Sequence, residues 1–185
     1  ISITTFILCL LSEDLVIDKF YIYSLDFFFT LGNFSLIFTI LSVLCLTNSL
    51  NLADGINGLA GLTSVIILFS LSSLAINAGD MDNHFFINVL IANILGFLII
   101  NWIFGKIFLG DAGAYLLGII LALAACNVLF HNNLSSLNIL TIFFYPIWET
   151  SYSILRRIFT KTKIMRADSK HLHSIMYIII KMDDN

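Results

Sequence analysis

From residue 34 to residue 158 the chain is almost continuous apolar sequence, cut by short polar loops. The apolar runs cover residues 34–50, 59–76, 85–104, 114–130 and 137–158. Each is close to the ~20 residues that cross a bilayer as a helix. Lipid offers the backbone no hydrogen-bond partner, so a spanning segment must satisfy itself, and a helix does so within one stretch of chain. A barrel would need alternating strands of about 10 residues, which the sequence lacks. Charge supports the same conclusion. Only 11% of residues are charged, against about 25% in a soluble domain. That is too little to coat a globule, and it excludes a nucleic-acid-binding surface. The predicted class is all-α: a polytopic transmembrane helical bundle forming one membrane domain over residues 1–185.

The ends differ from the middle. Residues 1–11 read as part of a further span, with Ile1 rather than Met at the start and no basic segment before the apolar run. That is not the pattern of a signal peptide. The expectation is a chain that has lost its N-terminal part. Residues 15–32 are aromatic and partly alternating, which predicts a short hairpin or interfacial segment. Residues 159–185 form a polar, basic tail. Cys9, Cys45 and Cys126 lie in apolar runs without metal-ligand spacing and read as small buried hydrophobes.

The loops set the orientation. Successive spans place the loops 51–58 and 105–113 and the tail after Arg156 on one side. Eight of the nine basic residues then share that side: Lys106, Arg156, Arg157, Lys161, Lys163, Arg166, Lys170 and Lys181. Positive charge marks the cytoplasmic face. The tail supplies seven of the eight, so the loops add little to the count.

Polar residues cluster on this same face. Asn48, Asn51 and Asp54 recur every three residues at the end of one run, ahead of Gly55, Asn57 and Gly58. Lys106, Gly110, Asp111 and Gly113 open another. Arg156, Arg157, Asp168, Lys170, His171 and His173 follow the last. Singly, each has an ordinary reading. Asn and Asp before Gly form turns and helix caps, and a basic tail can anchor to anionic lipid. Together they look different. Polar groups at a membrane edge avoid lipid by facing protein or a wet cavity. Carboxylates suit a hard cation that shares its shell with phosphate, and Arg, Lys and His suit the anion itself.

These residues resemble a known family. The run NSLNLADGINGLA (Asn48 to Ala60) is similar to N-x-x-N-x-x-D-G-x-[DN]-G-L-A, and FLGDAGAYLLG (Phe108 to Gly118) to F-x-G-D-x-G-[SA]-x-x-L-G. Pro146 to Glu149, Arg156-Arg157 and Ala167 to His173 resemble the family's P-x-x-[DE], R-R and D-x-x-H-[IL]-H-H elements. The family is the polyprenyl-phosphate N-acetylhexosamine-1-phosphate transferases, integral membrane enzymes of bacterial cell-envelope glycan synthesis. The resemblance implies Mg²⁺-dependent transfer of a sugar-1-phosphate from a UDP-sugar to undecaprenyl phosphate, with release of UMP. It implies an active site at the cytoplasmic face of the bacterial inner membrane, and it suggests a homodimer. By motif, Asp111 matches a Mg²⁺-ligating aspartate, and Asn51 and Asp54 match the metal and nucleotide end. Asn48 and Asn57 belong to the same substrate-binding run. Lys106 is placed for phosphate. Arg156, Arg157, His171 and His173 match a loop that closes over the nucleotide-sugar. Asp54, Asp111, His171 and His173 form the expected catalytic set. The tail resembles the branch that transfers GlcNAc-1-phosphate rather than the muramoyl-pentapeptide branch.

Three departures stand out. Ser174 replaces the second histidine of a His-His pair, and Asn57 stands where many members have aspartate. The family's upstream aspartate pair has no counterpart, because Glu13-Asp14 falls on the opposite side by span counting. The chain alone is therefore expected to be inactive. Two other classes compete: an ion transporter or channel, which predicts polar residues at mid-span, and a non-catalytic membrane partner, which binds nucleotide without turnover.

Overall fold

A computed structural model describes residues 5–7, 9, 15–17, 19–22, 27–132 and 136–160. Two strands, β1 (Lys19–Ile22) and β2 (Phe27–Thr30), pair antiparallel with Lys19 opposite Thr30 and Ile22 opposite Phe27. The expected hairpin is therefore present. A 3₁₀ turn, Gly32–Phe34, leads into helix α1 (Ser35–Ala53). Helices α2 (Leu59–Asn77), α3 (Met81–Leu98) and α4 (Gly110–Asn132) follow, with a π turn, Ile99–Ile103, extending α3. The last two are α5 (Ser136–Ile142) and α6 (Phe144–Phe159). Among the described residues four helices are long and apolar enough to cross a membrane: Gly32–Ala53, Leu59–Asn77, Met81–Ile103 and Gly110–Val128.

The run expected to span from 137 to 158 is two helices joined at Phe143. Pro146 explains the interruption. It has no N–H for the carbonyl of Ile142, and its ring crowds that carbonyl. The bonds on either side survive, from Phe143 N to Ile139 O at 2.9 Å and from Ile147 N to Phe143 O at 3.1 Å. Helix α3 starts four residues earlier than the apolar run. Asp80 caps it, accepting from Asn83 N at 3.1 Å, so Met81 to His84 are helical. The span expected over 1–11 lies largely outside the described residues; residues 5–7 and 9 within it are helical.

Glycine sets the closest helix contacts. A Cβ on Gly118 would meet Thr47 Cα at 2.6 Å, and one on Gly61 would meet Leu98 Cδ2 at 2.6 Å. Hence α4 packs directly on α1 and α2 on α3, the small-residue packing typical of membrane helices. The contacts Tyr115 to Asn51 and Gly118 to Thr47 make α4 antiparallel to α1. Gly61 to Leu98 and Ser72 to His84 do the same for α2 and α3. An apolar cavity of about 210 Å³ brings Phe143 and Ile147 beside Val43 and Leu46. Further along, Thr150 Oγ1 donates to Ser49 Oγ at 2.6 Å. Helix α6 therefore runs in the same direction as α1.

Beyond the apolar core, many large apolar side chains face outward. Phe69 and Phe85 are about 70% exposed (69% and 71%). On α6 it is Glu149, Thr150 and Ser153 that are buried, while Trp148, Leu155 and Phe159 face outward. Lipid accepts the outer apolar side chains, and polar groups turn inward to find partners. Asn88 and Asn93 sit inside the α3 span on its exposed side. Each amide donates to its own helix, at His84 O and Val89 O, both 2.8 Å away. Each amide thus finds an acceptor within its own helix.

Candidate functional site

The alternating helix directions gather the end of α1, the start of α2, the end of α3, the start of α4 and the end of α6 at one edge of the bundle. Helix α1 stops at Ala53, and Asp54 N still bonds Leu50 O at 3.1 Å. The chain turns through 55–57 and enters α2 at Gly58, whose φ of 85° is the left-handed region where glycine is favoured. A side chain there would also strike Trp102, with Cγ 2.7 Å from the Cβ position. The second loop leaves the π turn at Phe104 and enters α4 at Gly110, again with positive φ (65°).

The two loops meet. The Asp54 carboxyl lies near the backbone amide of Gly110, and Asp111 is close enough for its charge to act on Asp54. Burial pushes the Asp54 carboxyl up from the usual range; the Gly110 amide opposes this, and the Asp111 charge adds to it. Asp111 is exposed in the first turn of α4, where the helix dipole favours negative charge. Asn51, one turn before Asp54, donates from Nδ2 to the Tyr115 hydroxyl at 3.1 Å. Tyr115 itself lies one turn beyond Asp111. The Asn57 amide nitrogen is 3.6 Å from where a Gly105 Cβ would stand.

Other expected residues take different places. Asn48 is exposed, and its amide donates back to Leu44 O at 2.9 Å, within its own helix. Lys106 is exposed, with its ammonium 5.8 Å from the centre of the Phe104 ring. Arg156 and Arg157 occupy the last turn of α6, half-buried, at the Asp54 end of the bundle. His171, His173 and Ser174, with Glu13 and Asp14, lie outside the described residues.

Two participants were not singled out from sequence. One is Tyr115, which lies in the quoted motif as an unassigned position. The other is Asn101, buried at 4% exposure in the π turn. Its Oδ1 accepts from Gly58 N at 2.8 Å and its Nδ2 donates to Ile107 O at 2.7 Å. The available signal was an asparagine near the end of an apolar run, where burial in protein requires partners.

Among the described residues no group of three or more His, Cys, Asp or Glu side chains stands ready to hold a metal. The site offers two neighbouring carboxylates and amide groups. That suits a cation held by one or two carboxylates and completed by water and substrate phosphate, the habit of Mg²⁺. Two helix N-termini and two arginines at the same edge suit anions.

Comparison with known proteins identifies the family. Residues 1–129 match the model of glycosyl transferase family 4. A probable undecaprenyl-phosphate N-acetylglucosaminyl 1-phosphate transferase of Bacillus subtilis (strain 168) is 35% identical over 166 residues, 89% of this chain and 46% of the relative. Phospho-N-acetylmuramoyl-pentapeptide-transferases of Streptococcus pneumoniae serotype 2 and Streptococcus pyogenes serotype M6 are each 39% identical, over 92 and 93 residues, covering 50% of this chain and 28% of the relative. The chain thus spans less than half the length of these relatives. The family match takes in both carboxylate loops and the helices that pair them. With four apolar helices of spanning length, the chain belongs to glycosyl transferase family 4, a family of membrane-embedded sugar-phosphate transferases.

Proposed function

We propose that the full-length protein transfers an N-acetylhexosamine-1-phosphate from a UDP-sugar to undecaprenyl phosphate at the cytoplasmic face of a bacterial inner membrane. The observation that carries this reading is the meeting of Asp54 and Asp111, from two glycine-bounded loops, at one edge of an apolar bundle. One substrate is lipid-soluble and the other water-soluble, and only a site at that edge reaches both.

In this reading an oxygen of the lipid phosphate attacks the β-phosphorus of the UDP-sugar. The bond from that phosphorus to the bridging oxygen breaks, and UMP leaves with the electron pair. The product is a polyprenyl-diphospho-sugar. Two anions must approach, so their charge has to be offset by cations and oriented donors. Asp111, with the Asn51 amide, is the proposed holder of Mg²⁺, which when bound screens the phosphate charge. Asp54 holds the adjacent position, oriented by Gly110. Tyr115 fixes the Asn51 amide through its hydroxyl. Arg156 and Arg157, with His171 and His173, are the proposed clamp on the diphosphate. Asn48, Asn57 and Lys106 line the approach. The sugar is proposed as GlcNAc, because the similarity to the B. subtilis relative covers 89% of the chain whereas the streptococcal matches cover 50%.

The test uses membranes containing the full-length protein, Mg²⁺, UDP-GlcNAc and undecaprenyl phosphate, with UMP release as the readout. Release is expected with the native protein, and Asp111→Asn is expected to lower it about 10²–10³-fold, the usual effect of losing a transition-state stabiliser. Absence of UMP from the native protein, or an unchanged rate in Asp111→Asn, overturns the reading.

A further inference from the structure

Asp54 caps the end of α1 and Asp111 stands in the first turn of α4, and the loops beside them, 55–58 and 104–109, have no secondary structure of their own. Asp54 stands four residues before Gly58, and Asp111 four residues after Ile107. Those two residues are where Asn101 attaches. Its carboxamide oxygen holds the Gly58 N–H at 2.8 Å, and its amide nitrogen holds the Ile107 carbonyl at 2.7 Å. We propose that Asn101 is a positioning residue: a single buried amide that staples the two loops and so sets the spacing of Asp54 and Asp111. This rests on the transfer reading above for its functional consequence, though not for its geometry.

The chemistry of the side chain is specific. An amide presents one acceptor and a donor group on one rigid plane. Aspartate at this position could hold Gly58 but would repel the Ile107 carbonyl. Leucine would hold neither and would leave both backbone groups without their partner. Buried backbone groups left that way are costly, so a loop would move to water or re-pair. The π turn contributes as well. Such single-turn widenings occur often at functional sites. Here the turn holds Asn101 inward, while the next residue, Trp102, lies over Gly58. Lys106 N closes back on Ile100 O at 3.2 Å, so the second loop begins folded against the same turn. The loops also approach each other elsewhere: Asn57 Nδ2 would stand 3.6 Å from a Cβ on Gly105, and Asp54 lies beside Gly110. Asn101 is the buried side chain that bonds both loops at once.

The experiment compares Asn101→Leu and Asn101→Asp with the native full-length protein in lipid nanodiscs. Hydrogen exchange is followed over residues 55–60 and 104–110, together with kcat and KM for UDP-GlcNAc. Asn101→Leu should raise exchange in both loops and leave the middles of α1 and α4 unchanged. Asn101→Asp should raise it in 104–110 alone, since the Gly58 bond remains. In the Leu variant kcat should fall about 100-fold, the scale of a 1 Å misplacement, with KM changed less than about threefold. Unchanged exchange in both loops overturns the proposal, as does a raised KM with native kcat, which would make Asn101 a substrate contact. Should the Leu variant not fold, the one-loop pattern of Asn101→Asp decides. If the native protein releases no UMP but exchange follows the pattern, the transfer reading fails and the staple stands. If UMP is released and exchange does not respond, the staple alone fails.

Discussion

The two ends of the bundle carry similar residues and use them differently. At the end marked by the α2–α3 turn, polar groups close on one another. Asp80 accepts from Asn83 N, from Asn83 Nδ2 at 2.7 Å and from Asn132 Nδ2 at 3.4 Å. Asn83 in turn accepts from Asn127 at 2.7 Å, and His84 pairs with Ser72 at 2.9 Å. This carboxylate is ringed by donors and ties α3 to α4. At the opposite end Asp54 is turned toward a second carboxylate, with the Gly110 backbone amide beside it, and Asp111 is exposed. Folding closes the first cluster on itself, whereas in the second two carboxylates stand near each other and one of them is exposed. Two neighbouring carboxylates repel each other, and an exposed one is open to water or a cation.

The contrast can be broken most directly on activity. Asp80→Asn in the full-length protein should leave UMP release within about threefold of native, against a loss of about 10²–10³-fold for Asp111→Asn. Equal losses would end the distinction between the ends. The packing that brings the loops together gives the next largest effect. Gly118→Ala forces a methyl against Thr47 Cα and should cost about 1–3 kcal/mol by overpacking, read as a lower Tm in detergent. Gly96→Ala, with nothing within 4 Å, should leave Tm the same or slightly higher.

Asp80→Ala removes a helix cap and should cost about 1 kcal/mol. The Tm of that variant should fall while its KM for UDP-GlcNAc holds; a shifted KM would mean that the two ends communicate. The smallest effect concerns pH. The folded state holds the Asp54 carboxyl above its unfolded value. Its contribution to stability is therefore greatest below the ordinary carboxylate range and declines as pH rises through the raised value. Asp54→Asn lacks this decline. Native Tm should drop relative to that of the variant as pH increases through the window, and a constant difference would contradict the burial of Asp54.

Much of this was legible in the chain. Asp54 and Asp111 were picked out by their glycine neighbours and their place at span ends, and the structure brings them together. Asn51 was found by its three-residue spacing, but its partner Tyr115 was not, because a tyrosine in an apolar helix gives no periodic signal. Asn48 shared that spacing, yet its amide turns back to Leu44. The run 137–158 read as one span because hydropathy does not register what Pro146 does to the backbone. Asn101 could be seen only once two loops, 43 and 6 residues away in sequence, closed on it.

By itself the sequence determined the solvent and the class of this protein, and gave an expectation for its sidedness. Apolar length demands lipid, lipid demands helices, and basic residues mark one face; each follows from local composition. Tertiary structure alone decided which polar groups are spent on each other and which remain exposed. That depends on hydrogen bonds and charge contacts between residues far apart in the chain. It depends too on how closely Gly118 and Gly61 let the helices approach.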